Sequence, residues 1–215
     1  YLGRLSTVMS AGRQDNRVLV LEPTTTAWMA FSPAGDRAGW EEVGNKFQDF
    51  VNGLEAAQVE YDLGSEDTLK NHGRIDGRAF EVCQQVYDLV ILPPGMKNVE
   101  AATARLLKQF LAAGGRVLVF GAPPEFVDGR PSGDFRTPAE KEAKGWTVVP
   151  EGTGPDKIFE ILPPVYAFTV NPAAGAENLL FHHRRTLSDG DLLFLANTDP
   201  ANAVSGRVVS SRFRT

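Results

Sequence analysis

The sequence predicts an α/β fold, a doubly wound parallel sheet with an appended antiparallel β segment at the C-terminus. Three observations predict it. Short continuous apolar runs at residues 18–21, 89–92 and 117–120 suit parallel strands covered on both faces. Stretches with helical periodicity separate them, as right-handed crossovers require. From residue 158 onward the texture changes to short alternating pieces divided by Pro, Asn and Asp-Gly turns, which is the pattern of antiparallel structure.

Taken in order, Tyr1, Leu2, Leu5, Val8 and Met9 have helical spacing and predict a docked lead-in helix running through Gly12 into a polar turn at 13–16. Residues 18–21 form the first buried strand, with a loop at its carboxyl end, Glu22-Pro23-Thr24-Thr25-Thr26. A helical stripe of Val43, Phe47, Phe50, Val51 and Leu54 predicts a helix over 40–57, and the alternating stretch 59–63 predicts the second strand. The acidic stretch 64–71 is expected to lie over the top edge of the sheet. Residues 73–80 carry an Asp-Gly signal for a small hairpin inserted before the third strand.

The stretch 80–124 holds a complete strand, helix and strand unit. Residues 89–92 end at Pro93-Pro94-Gly95, and residues 117–120 end at Gly121. Ala102, Leu106, Leu107, Phe110 and Leu111 form one helical face, stopped by Gly114-Gly115 because glycine tolerates the left-handed closing conformation. Residues 126–145 are rich in Pro, Gly and charge, with a short helix predicted at 138–144. A fifth strand is expected at 146–149, and antiparallel pieces at 161–162, 166–170, 179–183, 192–196 and 204–209. The domain division follows: an α/β domain with its lead-in helix over 1–157, and a β segment over 158–215 that opens a further β domain.

With 215 residues, 42% hydrophobic and 23% charged, the chain has the composition of a globular protein with a substantial core. A net charge of −5 argues against nucleic acid or an anionic membrane as partner, since both require a basic face. No apolar run approaches the roughly 20 residues that span a bilayer. The single cysteine, Cys83, precludes an internal disulfide and leaves the compartment open, secreted or periplasmic included. The chain begins at Tyr1 without a methionine and stops within an alternating segment at 207–213, from which we expect a piece of a longer polypeptide.

Ligands of open α/β sheets sit at the carboxyl ends of the strands. At the end of the fourth strand stands Gly121-Ala122-Pro123-Pro124, which offers no nucleophile and, with two prolines, few backbone donors for an oxyanion. Cys83 precedes a strand instead of following one, and its neighbours Glu81, Val82, Gln84 and Gln85 supply no positive charge to activate a thiol. Adjacent His182 and His183 on a strand point to opposite faces and do not share a metal, so no metal and no cofactor are expected. His183 with Arg184 suits a surface for a sugar, a carboxylate or a neighbouring domain. Glu22, Glu60, Asp62, Glu66 and Asp67 are expected near the top of the sheet, where glycoside hydrolysis would need a carboxylate pair. Spacing alone pairs none of them. Phosphate-loop and dinucleotide signatures are missing from the sequence. Trp28, Trp40 and Trp146 are the candidate stacking platforms, Trp28 foremost because it follows the top-edge loop.

The order of segments carries a resemblance. Tyr-Leu-Gly-Arg-Leu-Ser-Thr-Val-Met-Ser-Ala-Gly, Arg-Val-Leu-Val-Leu-Glu-Pro-Thr-Thr, Tyr-Asp-Leu-Val-Ile-Leu-Pro and Ala-Ala-Gly-Gly-Arg-Val-Leu-Val-Phe-Gly follow one another, and the tail adds residues 183–186 and 189–197. Together they resemble the flavodoxin-like, class I glutamine amidotransferase-like domain of large glycoside hydrolases. The α-L-rhamnosidases of glycoside hydrolase family 106 are nearest, and β-galactosidases with a trimerisation domain are less close. The resemblance implies a non-catalytic accessory domain that packs on a catalytic barrel and β domains of the same chain. It implies no catalytic residue here, and leaves His183, Arg184, Glu22 and Trp28 as candidate binding residues, with carbohydrate as the ligand. The alternatives are a stand-alone small hydrolase or amidotransferase using Cys83 or a carboxylate pair, and a carbohydrate-binding module.

Overall fold

A computed structural model describes residues 2–35, 37–135, 145–161 and 168–210. The chain divides into two compact bodies. One comprises Asn16–Val51 and Tyr61–Gly154, the other Tyr1–Asp15, Asn52–Glu60 and Pro155–Thr215. The sequence-based division at 157/158 follows chain order; these bodies add the first 15 residues and residues 52–60 to the C-terminal stretch.

The first elements are α1 (Leu2–Ser10), β1 (Val18–Leu21), α2 (Thr24–Ala30), α3 (Ala38–Ala56), β2 (Asp62–Gly64) and α4 (Glu66–His72). A three-stranded antiparallel sheet follows, of β3 (Gly73–Asp76), β4 (Ala79–Val82) and β5 (Gln85–Tyr87). Then come β6 (Leu89–Leu92), β7 (Asn98–Val99), α5 (Ala101–Ala112), β8 (Arg116–Phe120), β9 (Phe126–Val127), β10 (Arg130–Pro131) and β11 (Trp146–Val149).

The larger body is built on a five-stranded, wholly parallel sheet in the order β11-β8-β6-β1-β2. Counting only these strands along the chain, the order is 2-1-3-4-5, so the winding reverses between β1 and β6. Register aligns Asp62, Leu19, Val90, Val117 and Trp146 in one row across all five strands. Because side chains alternate, Leu19, Leu21, Val90, Leu92, Val117 and Val119 join Leu106, Leu107 and Phe110 of α5 in one core layer. Phe120 faces the other way and meets Phe50 of α3 at a ring distance of 4.8 Å. All eight residues of β1 and β6 are buried, which is why both strands read as unbroken apolar runs. Full burial of each such side chain contributes about 1.5–3 kcal/mol.

Several expectations shift. Most of the stretch 64–71 is helical, since Gly64 ends β2 and α4 covers Glu66–His72: the hydroxyl of Ser65 accepts from the Thr68 N–H and caps α4, whose first turn carries Glu66 and Asp67. The second strand is Asp62–Gly64, beginning three residues later and ending one residue later than the alternation of 59–63 suggested. The hairpin turn falls on Gly77-Arg78 instead of Asp76-Gly77, with Gly77 at φ 54°, and β5 adds a third strand. The helix expected at 138–144 lies outside the described residues.

In the smaller body, β13 (Leu180–Thr186) and β14 (Asp191–Asn197) form an antiparallel hairpin, and β12 (Phe168–Pro172) pairs with β15 (Gly206–Ser210). The lead-in helix α1 is formed as expected, yet none of its residues is buried. What fixes the following chain is the Arg13 to Thr186 bridge, with N···O distances of 3.0 and 2.8 Å. The Arg185 guanidinium also donates to the carbonyls of Ala11 and Gly12.

Candidate functional site

At the carboxyl end of β1 the chain turns through Glu22 and Pro23 into α2, and α3 returns alongside. Between these segments lies a concavity of about 330 Å³ whose wall includes Glu22, Trp28, Phe31, Trp40 and Phe47. Three of the residues singled out from sequence, Glu22, Trp28 and Trp40, are thus brought to one site. Trp28 is 70% exposed and Phe31 58%. Phe47 belonged to the apolar stripe that announced α3, so periodicity alone assigned it to the core.

The platform is held from below. Thr25 donates to a Glu66 carboxylate oxygen at 2.6 Å, and the other Glu66 oxygen accepts the Glu100 N–H at 2.6 Å. Thr26 Oγ1 accepts from the N–H groups of Lys97 and Asn98, at 3.1 and 3.0 Å. These contacts pin the seven-residue α2, which has no side-chain cap of its own. Burial pushes the Glu66 carboxyl above its ordinary range, against the hydrogen bonds from Thr25 and Glu100.

A second concavity of about 330 Å³ touches the other flank of α2 and includes Met29, Lys46, Gly95 and Lys97. Lys46 reaches Glu42 at 3.1 Å and Glu151 at 3.4 Å, and their hydrogen bonds and charges hold its ammonium above the usual range.

The carboxylates expected together at the top of the sheet separate. Asp62 opens β2, placing it at the amino end of that strand, where it accepts from Asn16 Nδ2 at 2.8 Å and the Tyr87 hydroxyl at 2.9 Å. Desolvation, with the Asp62 charge, raises the Tyr87 pKa. Glu60 belongs to the smaller body. Of the five, Glu22, Glu66 and Asp67 follow strand ends, and Glu66 is the buried anchor of α2.

In that smaller body the His183-Arg184 pair divides between the two faces of β13. Arg184 grips Glu60 through two parallel hydrogen bonds, and Arg184 Nη1 lies 3.7 Å from Asp191. His182 shares this face, with Nε2 3.2 Å from Glu60 and Nδ1 2.6 Å from Gln58 Oε1. Burial by itself raises the Glu60 pKa, but hydrogen bonds from His182 and Arg184, with their charges, outweigh it and hold the carboxyl below the usual range. Arg184 therefore performs internal pairing. His183 Nε2 is buried without a hydrogen-bond partner among the described residues, and burial, aided by Arg185, lowers the pKa of its ring.

Cys83 is exposed at φ 54° in the two-residue β4–β5 turn, away from the parallel strand ends. Among the described residues no group of three or more His, Cys, Asp or Glu side chains is placed to hold a metal ion. Among them, too, no helix is long and apolar enough to cross a membrane.

No protein-family model and no curated protein matches the sequence. Among solved structures, the chain is similar to the rhamnosidase from Novosphingobium sp. PP1Y, with a TM-score of 0.58 and 16% identity over 97% of this chain and 19% of that one. The β-galactosidase from Rahnella sp. R3 gives a TM-score of 0.35 and 17% identity over 90% of this chain and 25% of that one. The β-galactosidase from Bacillus circulans sp. alkalophilus gives 0.38 and 14% over 97% and 25%. The chain spans less than a third of the length of each. The similarity to the rhamnosidase is one of fold.

Proposed function

We propose that this chain is a non-catalytic accessory domain of a multidomain glycoside hydrolase of the α-L-rhamnosidase kind. The observation that carries the reading is the fold similarity spanning 97% of the chain and 19% of a rhamnosidase. In this reading the parallel sheet is a flavodoxin-like, amidotransferase-like one, supported by its 2-1-3-4-5 strand order. The turn after β8, Gly121-Ala122-Pro123-Pro124, supports the lack of autonomous catalysis, because the position that would carry a nucleophile is an alanine. The partners are a catalytic barrel and β domains of the same polypeptide, and the substrate of the whole enzyme is a glycoside.

The test compares two proteins. The 215-residue chain, incubated with aryl α-L-rhamnopyranoside and aryl β-D-galactopyranoside, is expected to release no phenol, while the full polypeptide of the same reading frame hydrolyses one of them. Turnover by the 215-residue chain that disappears in Glu22→Gln or Cys83→Ala would sink the proposal.

A further inference from the structure

The wall of the concavity beside β1 makes two separate chemical demands on an occupant. Trp28 and Phe31 present apolar, largely exposed surface, and Phe47 extends it inward. Glu22 supplies a half-buried carboxylate that makes no hydrogen bond or ion pair among the described residues, so its oxygens are open to a donor. Trp40 lines the same wall, but its indole N–H is buried out of reach of solvent and places no demand on an occupant.

These demands discriminate among ligands. A hydrocarbon meets the aromatic wall and leaves the carboxylate without a donor. A quaternary ammonium meets the aromatic faces and the charge of the carboxylate but donates no hydrogen bond to it. A hydroxylated ring has a C–H face for the aromatics, and each hydroxyl both donates and accepts. The open side of the site lets the remaining hydroxyls stay in water, so few are buried unpaired. The volume of about 330 Å³ lies at the lower end for small-molecule sites, enough for one ring.

We propose that this concavity is a pyranose-binding site belonging to the larger body itself, with Trp28 as the stacking platform and Glu22 as acceptor. The choice of a pyranose over other hydroxylated rings and over a cation rests on the glycoside-hydrolase reading. The anchoring of α2 by Thr25 and Thr26 gives the platform a fixed position before ligand arrives, which reduces the ordering that binding requires.

The experiment uses the 215-residue chain labelled with ¹⁵N at its three tryptophans, each contributing one indole N–H signal. Methyl α-L-rhamnopyranoside and methyl β-D-galactopyranoside are titrated into the tens of millimolar range. At least one is expected to move the Trp28 and Trp40 signals saturably while the Trp146 signal stays fixed. Glu22→Gln and Trp28→Ala should each weaken the response about tenfold. Indole signals unmoved by both glycosides overturn the site, as do equal shifts with tetramethylammonium chloride or cyclohexanemethanol. The two readings fail separately. Hydrolysis of aryl glycosides by the 215-residue chain defeats the accessory role, whereas silent indoles without hydrolysis defeat only the site.

Discussion

Arg184 and Glu60 form a two-pronged pair, Nε to Oε1 at 3.1 Å and Nη2 to Oε2 at 2.9 Å, with both side chains about nine-tenths buried. Breaking such a pair from one side leaves a buried charge uncompensated, at a cost of about 3–5 kcal/mol. Arg184→Ala is therefore expected to lower the stability of the smaller body severely. Arg184→Lys should recover only part, because an ammonium lacks the fork geometry. Urea denaturation of the three proteins checks this, and a loss under 1 kcal/mol in Arg184→Ala would show the pair to be of no consequence.

The same pair sets an acid dependence. The Glu60 pKa in the folded protein lies below its unfolded value, so its contribution is full above the ordinary carboxylate range and fades as pH falls through the folded value. Unfolding free energy measured from pH 7 downward is expected to fall less steeply in Glu60→Gln than in the parent. Parallel slopes would contradict the assignment.

Glu66 runs the other way. Its folded pKa is raised, so its contribution is full below the unfolded carboxyl value and is lost as pH rises through the folded one. Glu66→Gln keeps an acceptor for the Glu100 N–H and removes the buried charge. Relative to the parent, this variant should gain stability as pH increases from 4 to 7, by about 1 kcal/mol, the scale of one hydrogen bond. A relative loss over that range would show that the charge itself holds α2.

What the sequence made legible and what it hid follow from where the stabilising partners lie. β1, β6 and β8 are legible because both faces are covered, so apolarity is continuous along each. α2 is hidden, since three threonines in a row disfavour a helix locally. Its support comes from Glu66 and Asn98, far along the chain. α4 was legible in principle, for Ser65 followed by Glu66 and Asp67 is a start signal, but acidic composition suggested a loop. At the candidate site, Glu22 and Trp28 were found because strand ends bear ligands and Trp40 was named as a stacking platform, while Phe47 was absorbed by the helical stripe of α3. The division of His183 from Arg184 across β13 is the period-two rule applied to that pair.

The close of α5 yields a sharper test. Gly115 N–H donates to Phe110 O at 2.8 Å and Gly114 N–H to Leu111 O at 3.0 Å, the paired bonds of a Schellman ending, with Gly114 at φ 84°. Gly115 is needed for a separate reason, since a Cβ there would overlap the ring of Phe110, itself fully buried and edge-on to Phe80 at 5.5 Å. Gly115→Ala must displace that ring and should cost about 1–3 kcal/mol. Gly114→Ala should cost about 1–2 kcal/mol, mainly through backbone strain, because the only side chain its Cβ meets closely is the flexible guanidinium end of Arg78. A double variant with Phe110→Leu separates the two: it should relieve the penalty of Gly115→Ala and leave that of Gly114→Ala unchanged, as read from thermal melts.

Cys83 offers a substitution expected to stabilise. It occupies the first position of the two-residue β4–β5 turn at φ 54°, where a side chain is strained and glycine is not. Cys83 is exposed, so little packing is lost with its thiol. Cys83→Gly relieves a left-handed penalty of about 1–2 kcal/mol against an entropic cost of about 0.5–1 kcal/mol for the added backbone freedom. The expected net is a gain of about 1 kcal/mol or less, with a melting temperature a few degrees higher. The same variant removes the only thiol, so its behaviour in the glycoside titration also bears on chemistry: unchanged indole shifts are expected, because the turn lies outside the concavity wall. A fall in melting temperature would mean that the thiol makes a contact worth more than the backbone strain it imposes.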